Sequence, residues 1–151
     1  MISNDDWGFM TQAMLPPSLL GKYAFPWYRK IVKVIHAAGK PAILHSCGNL
    51  EKVMDDIIDD LKYDGKHSFE DAILPIEEAY ERWGSRKDIL GGTNMDFMCR
   101  QTPEAIKKQA RAMIERTGDR AGYALGTGNS VPYHVPGENF FAMISNDFRS
   151  G

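Results

Sequence analysis

His45 and Cys47 stand two residues apart at the end of a short apolar run, Ala42-Ile43-Leu44. In an extended strand, residues i and i+2 point the same way, so an imidazole and a thiol converge on one point. Those two groups are half of a zinc donor set. Gly48 and Asn49 follow, and an amphipathic segment starts at Leu50. That succession predicts a buried parallel strand, a tight turn and a helix. The polar pair then lies at the carboxyl end of the strand, where parallel α/β folds keep their ligand sites.

Other groups of the same kind recur along the chain. Asp5 and Asp6 close the first strand candidate and could act as acid–base groups or aim a histidine ligand; a solvated loop is the alternative. Glu70, Asn94, Asp96 and Thr127 close later strands. Gly126-Thr127-Gly128 could cradle a phosphate, although it has neither a Walker lysine nor a full dinucleotide fingerprint. His67 and His134 read as exposed or packing residues. The pairs Asp55-Asp56 and Asp59-Asp60 fall opposite an apolar helix face and read as solvated surface.

The elements that must hold these groups follow from periodicity. Met1–Asp6 is a strand candidate, and residues 7–15 read as a loop with a short helical turn. Pro16-Pro17-Ser18 opens a helix that Pro26 restarts and Gly39 ends. After the strand Ala42–His45, Asn49 caps a helix over 50–61. A weaker strand covers 63–69, a helix 74–83, and a strand 88–91 with a polar tail to Asp96. Thr102 as cap with Pro103 at the first position opens a helix to Thr117. A last strand over 122–125 runs into the Gly-Thr-Gly turn, and a helix over 137–144 closes the chain. Strand and helix alternate five times, which predicts parallel βα units with every strand-end group on one rim. A (β/α)8 barrel has that rim but typically takes about 250 residues. The expectation is one domain of about five βα units, part of a TIM-type barrel.

Composition narrows the classes. The 151 residues are 43% hydrophobic and 25% charged, with a net charge of -2. That suits a soluble domain with a real core and argues against nucleic acid as partner. No apolar run is long enough for a membrane span, and no signal-peptide layout is present. Two cysteines in different units, Cys47 and Cys99, predict free thiols and a cytoplasmic setting.

With these motifs in place, the chain resembles the carboxyl-terminal half of the uroporphyrinogen decarboxylase superfamily. The matching pieces are Pro26, the block Ala37-Ala-Gly-Lys-Pro-Ala-Ile-Leu-His-Ser-Cys-Gly-Asn49, Gly92-Thr-Asn-Met-Asp96, Thr102-Pro-Glu-Ala105, Gly126-Thr-Gly128 and Pro136-Gly-Glu-Asn139. They lie closest to its cobalamin-dependent, zinc-containing methyltransferase branch. The resemblance implies zinc at His45, Cys47 and Glu70, with a corrinoid as methyl carrier and a thiol or similar acceptor. The branch's more distant cysteine sits in a Gly-Cys-Gly turn, where this chain has Thr127, so three ligands of four are matched. Asp6 and Asp96 are the catalytic candidates, Asp96 because it matches a family position on the rim, with turn capping as its alternative. Gly126, Thr127 and Gly128 are the cofactor-binding candidates. A decarboxylase acting on a tetrapyrrole, and an inactive or partner-dependent half barrel, are the competing readings. Two open sheet edges predict a homo-oligomer or a partner that supplies the other half barrel.

Overall fold

The computed structural model describes residues 1–118 and 120–145. Five strands form one sheet in chain order: β1 (Ile2–Asn4), β2 (Ile43–His45), β3 (Gly65–His67), β4 (Asp88–Leu90) and β5 (Tyr123–Ala124). Each pairs in parallel with the next, so every carboxyl end lies on the same side. Each strand is shorter than its apolar pattern, because the flanking residues leave the ladder to make the rim turns. The helical segments fall between the strands, the arrangement of (β/α) barrel units cut from a larger ring.

The first connection is a helical turn α1 (Pro17–Leu19), a π-helical stretch Leu20–Ala24, and α2 (Phe25–Ala37). Pro26 stands near the start of α2, just after the π-helical stretch. Phe25, Val32 and Ile35 bury one face of α2 against the sheet. The second connection is helical, as its pattern predicts, but its pitch varies, from a 3-10 turn at Glu51–Val53 to a π-helical turn at Asp56–Asp60. Asn49 Oδ1 accepts the Glu51 N–H at 3.1 Å at its start. Val53, Met54, Ile57, Ile58 and Leu61 are all buried. α3 (Ile76–Trp83), α5 (Pro103–Thr117) and α6 (Gly137–Ile144) lie within a residue or two of the sequence pattern. One helix was not expected. The tail after β4 turns into α4 (Met95–Arg100), because Asn94 Oδ1 caps it by accepting the Phe97 N–H at 3.0 Å.

Strand alternation splits the sheet into two faces. Leu44 and Ile89 point to the helices and are fully buried, each contributing about 2 kcal/mol by removal from water. The opposite face carries Ile43, His45, His67 and Leu90, all half-buried. In a closed barrel that face would be the interior.

At the amino-terminal ends of the strands, Asp64 ties β2 to α2. Its Oδ2 accepts from Ala42 N–H at 2.7 Å and lies 2.8 Å from His36 Nε2. Partial burial works against its ionisation, but these hydrogen bonds and the His36 and Lys87 charges outweigh it and hold the carboxyl below its ordinary value. A lowered carboxylate pKa adds stability that is fully present above the unfolded value of 3.8 and is lost as pH falls through the lower folded value. Asp64→Asn should therefore flatten the acid limb of stability measured by urea unfolding between about pH 5 and about pH 2. An acid limb identical to wild type would remove Asp64 from that role.

Candidate functional site

The parallel register sets the site. Asn4, His45 and His67 occupy one row across β1, β2 and β3, so the two imidazoles point into the same space. Their rings stack at 4.9 Å between centroids, with Nδ1 to Nδ1 at 2.6 Å. Cys47 Sγ lies 3.9 Å from His45 Nε2. Asp6 swings in from the end of β1 and accepts the Cys47 N–H at 3.0 Å. That hydrogen bond is the main cause of a lowered Asp6 pKa. One ligand atom each from Asp6, His45 and Cys47 lies within 4.8 Å of the others.

The thiol sits among donors. Ser68 Oγ–H donates to Cys47 Sγ at 3.3 Å, and Asn129 Nδ2–H donates at 3.4 Å. These donors fix the place of the sulfur, and a cysteine binds metal as its thiolate. Below the sulfur, on the helix side of β3, Lys66 is buried with 4% of its surface exposed. Its ammonium donates to Ser46 O at 3.2 Å and Ser68 O at 2.6 Å, and lies over the Phe69 ring. Burial pushes its pKa down to about 7 against the pull of Cys47 and Glu70. Lys66 thereby holds the ends of β2 and β3 together directly beneath Ser68 and Cys47.

A second set of contacts fixes the loops. Ser46 Oγ accepts the Trp7 N–H at 3.0 Å, and Trp7 Nε1–H donates to Asp5 Oδ2 at 3.1 Å. The Tyr28 hydroxyl also donates to Asp5, and burial with that bond raises its pKa to about 12. Asp5 is thus a structural anchor and Asp6 the carboxylate that faces the cluster. The turn after β2 rests on the loop after β1 through two glycines. A Cβ on Gly48 would lie 2.2 Å from Gly8 C, and Gly48 has φ +82.

The sequence-derived candidates fall into two places. Asp6, His45 and Cys47 come together. Glu70 stands outside that cluster and lines an adjacent groove with Phe69, Asn94, Asp96, Gly128 and Asn129. Asp96 is exposed in the first turn of α4, paired with Arg100 at 2.6 Å, so its carboxylate is engaged away from Cys47. Thr127 does not turn its hydroxyl to the cluster, because Oγ1–H donates to Asn129 O at 2.7 Å. Its backbone oxygen accepts from His67 Nε2 at 3.0 Å. Gly126 and Gly128 pair with Thr93, Gly126 O accepting the Thr93 N–H at 3.0 Å and Gly128 N–H donating to Thr93 O at 2.7 Å. The turn is therefore spent on backbone pairing.

His67 is a packing residue, stacked on His45 and outside the ligand cluster, but it packs half-buried inside the site, and burial lowers its pKa, with the Thr127 hydrogen bond opposing. The signal was its even offset within β3, which matches His45 in β2. Lys66, Ser68 and Asn129 gave no comparable signal, since their roles come from reaching across strands.

A parallel βα sheet with its polar groups gathered at the strand ends defines the class: a partial TIM-type barrel with a candidate metal cluster at its mouth. The sequence matches the family described as Uroporphyrinogen decarboxylase (URO-D) over residues 1–146. The chain belongs to that family. Among solved structures it is similar to a methyltransferase from Methanosarcina mazei, with TM-score 0.74 and 20% identity. The match covers 95% of this chain and 40% of that one. No curated protein matches the sequence. Among the described residues, no helix is long and apolar enough to cross a membrane.

Gly48→Ala should cost at least about 1 kcal/mol through strain at positive φ and collision with Gly8. Chemical unfolding reads this directly, and a stability equal to wild type would show that the two loops are not locked together.

Proposed function

We propose that this chain forms part of a methyltransferase of the uroporphyrinogen decarboxylase superfamily, with zinc held by His45, Cys47 and Asp6. The observation that carries the reading is the convergence of those three donors. Their chemistry fits the ion: imidazole, thiolate and carboxylate are zinc ligands, and a tetrahedral site keeps donors about 3–4 Å apart. Asp6 takes the carboxylate place that the sequence suggested for Glu70. Three protein donors leave a fourth position for an exogenous group, as catalytic zinc requires.

When bound, zinc lowers the pKa of an acceptor thiol, while a corrinoid carries the methyl group. The chain's own residues prepare the place. Ser68 and Asn129 fix the position of the Cys47 sulfur. The Cys47 N–H orients Asp6. Glu70, Asn94 and Asp96 give the adjoining groove polar walls, and Phe69 an apolar one, suited to a small acceptor or the edge of a corrinoid protein. Tetrapyrrole decarboxylation is the weaker reading. A polyanionic substrate calls for free cations, and the rim groups Asp5, Asp6, Glu70 and Asp96 are acidic while Arg100 is paired.

The reading also holds that the chain acts in an assembly. The outer edge of β1 carries Ile2 at 68% exposure. One flank of α2 meets the next helical connection through Arg29–Asp60 at 2.5 Å, with His36–Asp64 at 2.8 Å beyond it. The other flank carries Trp27, Ile31 and Val34, exposed at 63%, 43% and 70%. In a barrel that flank packs on the preceding helix. Light scattering at micromolar concentration should give a mass above the 17.0 kDa of one chain, and Trp27→Glu should reduce it. A stable monomer would remove self-association from the reading.

Metal analysis should find about one zinc per chain in wild type and little in Cys47→Ser. Zinc content unchanged by Cys47→Ser would overturn the site as drawn.

A further inference from the structure

The contacts around His67 define the proton positions on both imidazoles. His67 Nε2 lies 3.0 Å from Thr127 O. A carbonyl oxygen only accepts, so Nε2 carries the hydrogen. A neutral imidazole has one N–H, so His67 Nδ1 is a bare acceptor. His45 Nδ1 lies 2.6 Å from it and must supply the hydrogen between them. His45 Nε2 is then the acceptor nitrogen, its lone pair facing Cys47 Sγ at 3.9 Å. Each step follows from the one before, beginning at a backbone oxygen.

We propose that His67 is a positioning residue that reads the Thr127 carbonyl and thereby fixes His45 as an Nε2 donor toward Cys47 and Asp6. The tautomer stands on the hydrogen bonds alone; its use in metal binding rests on the function proposed above. Ligating histidines commonly donate their second N–H to a carboxylate, carbonyl or water. Here a second imidazole takes that place and passes the constraint on to the turn after β5.

Gly91 supplies an independent observation. A Cβ at that position would lie 2.2 Å from Thr127 O and 3.0 Å from His67 Nε2. Only a residue without a side chain lets the carbonyl and the imidazole meet there, at φ +85. The backbone just after β4 is thus kept clear for this hydrogen bond. The Thr127 hydroxyl is already bonded to Asn129 O and takes no part.

The test uses nitrogen-15 NMR of the metal-free protein, which separates protonated from bare imidazole nitrogens. Wild-type His45 should be protonated at Nδ1 and bare at Nε2. His67→Leu removes the acceptor and should lose that preference. His67→Asn places an oxygen near the former Nδ1 and should restore it. Cobalt(II) titration of the same proteins should show affinity ~10- to 100-fold weaker in His67→Leu, largely recovered in His67→Asn. Thr127→Ala should leave tautomer and affinity unchanged. His45 protonated at Nε2 in wild type, or a tautomer preference that survives His67→Leu, would overturn the inference. A correct tautomer in a protein that binds no cobalt would uphold it and remove the metal function instead.

Discussion

The site depends first on the parallel register between β2 and β3. Pairing His45 with His67 puts two imidazoles on one face at one height. A slip of one residue would set His45 against Lys66 or Ser68 and turn their side chains to opposite faces. Lys66 guards the register from behind. Its side chain starts on the helix side, yet its ammonium reaches the rim and binds carbonyls from both strand ends. A buried cation is costly to hold, and here the carbonyl oxygens and the Phe69 ring offset that cost. The same carbonyls belong to Ser46 and Ser68, which flank Cys47 in space, so packing and chemistry share one set of contacts.

Much of the fold was legible because the signals were local. Thr102-Pro103 marks a helix start by capping chemistry alone, and the structure places both residues there. Asn94 is the same signal read too weakly: as a polar residue after two glycines it suggested a loop, whereas its side chain caps α4. The helix over 50–61 kept its buried face while changing pitch, since burial constrains which residues point inward more than the spacing of their hydrogen bonds.

The site was legible only where it is made within one strand end. His45 and Cys47 could be paired by their spacing, whereas Asp6 reads from its place after β1 only as an acid–base candidate on the rim. What could not be read was distance across strands. Glu70 follows β3 by three residues where Asp6 follows β1 by two, and it faces the groove rather than the cluster. Ser68 and Asn129 reach the same sulfur from positions far apart in sequence. Thr127 looked like a missing ligand when judged by its side chain, but its main contact with the site runs through its backbone oxygen.

The contact between Gly8 and Gly48 bears on how the mouth can move. With two main chains touching and no side chain between them, the loop after β1 and the turn after β2 have no slack to slide past each other. Asn49 N–H donates to Phe9 O at 2.8 Å and closes the same joint. The two segments form a fixed jaw. Any opening that admits a large molecule must come from the opposite side, where residues 126–129 and α4 border the groove.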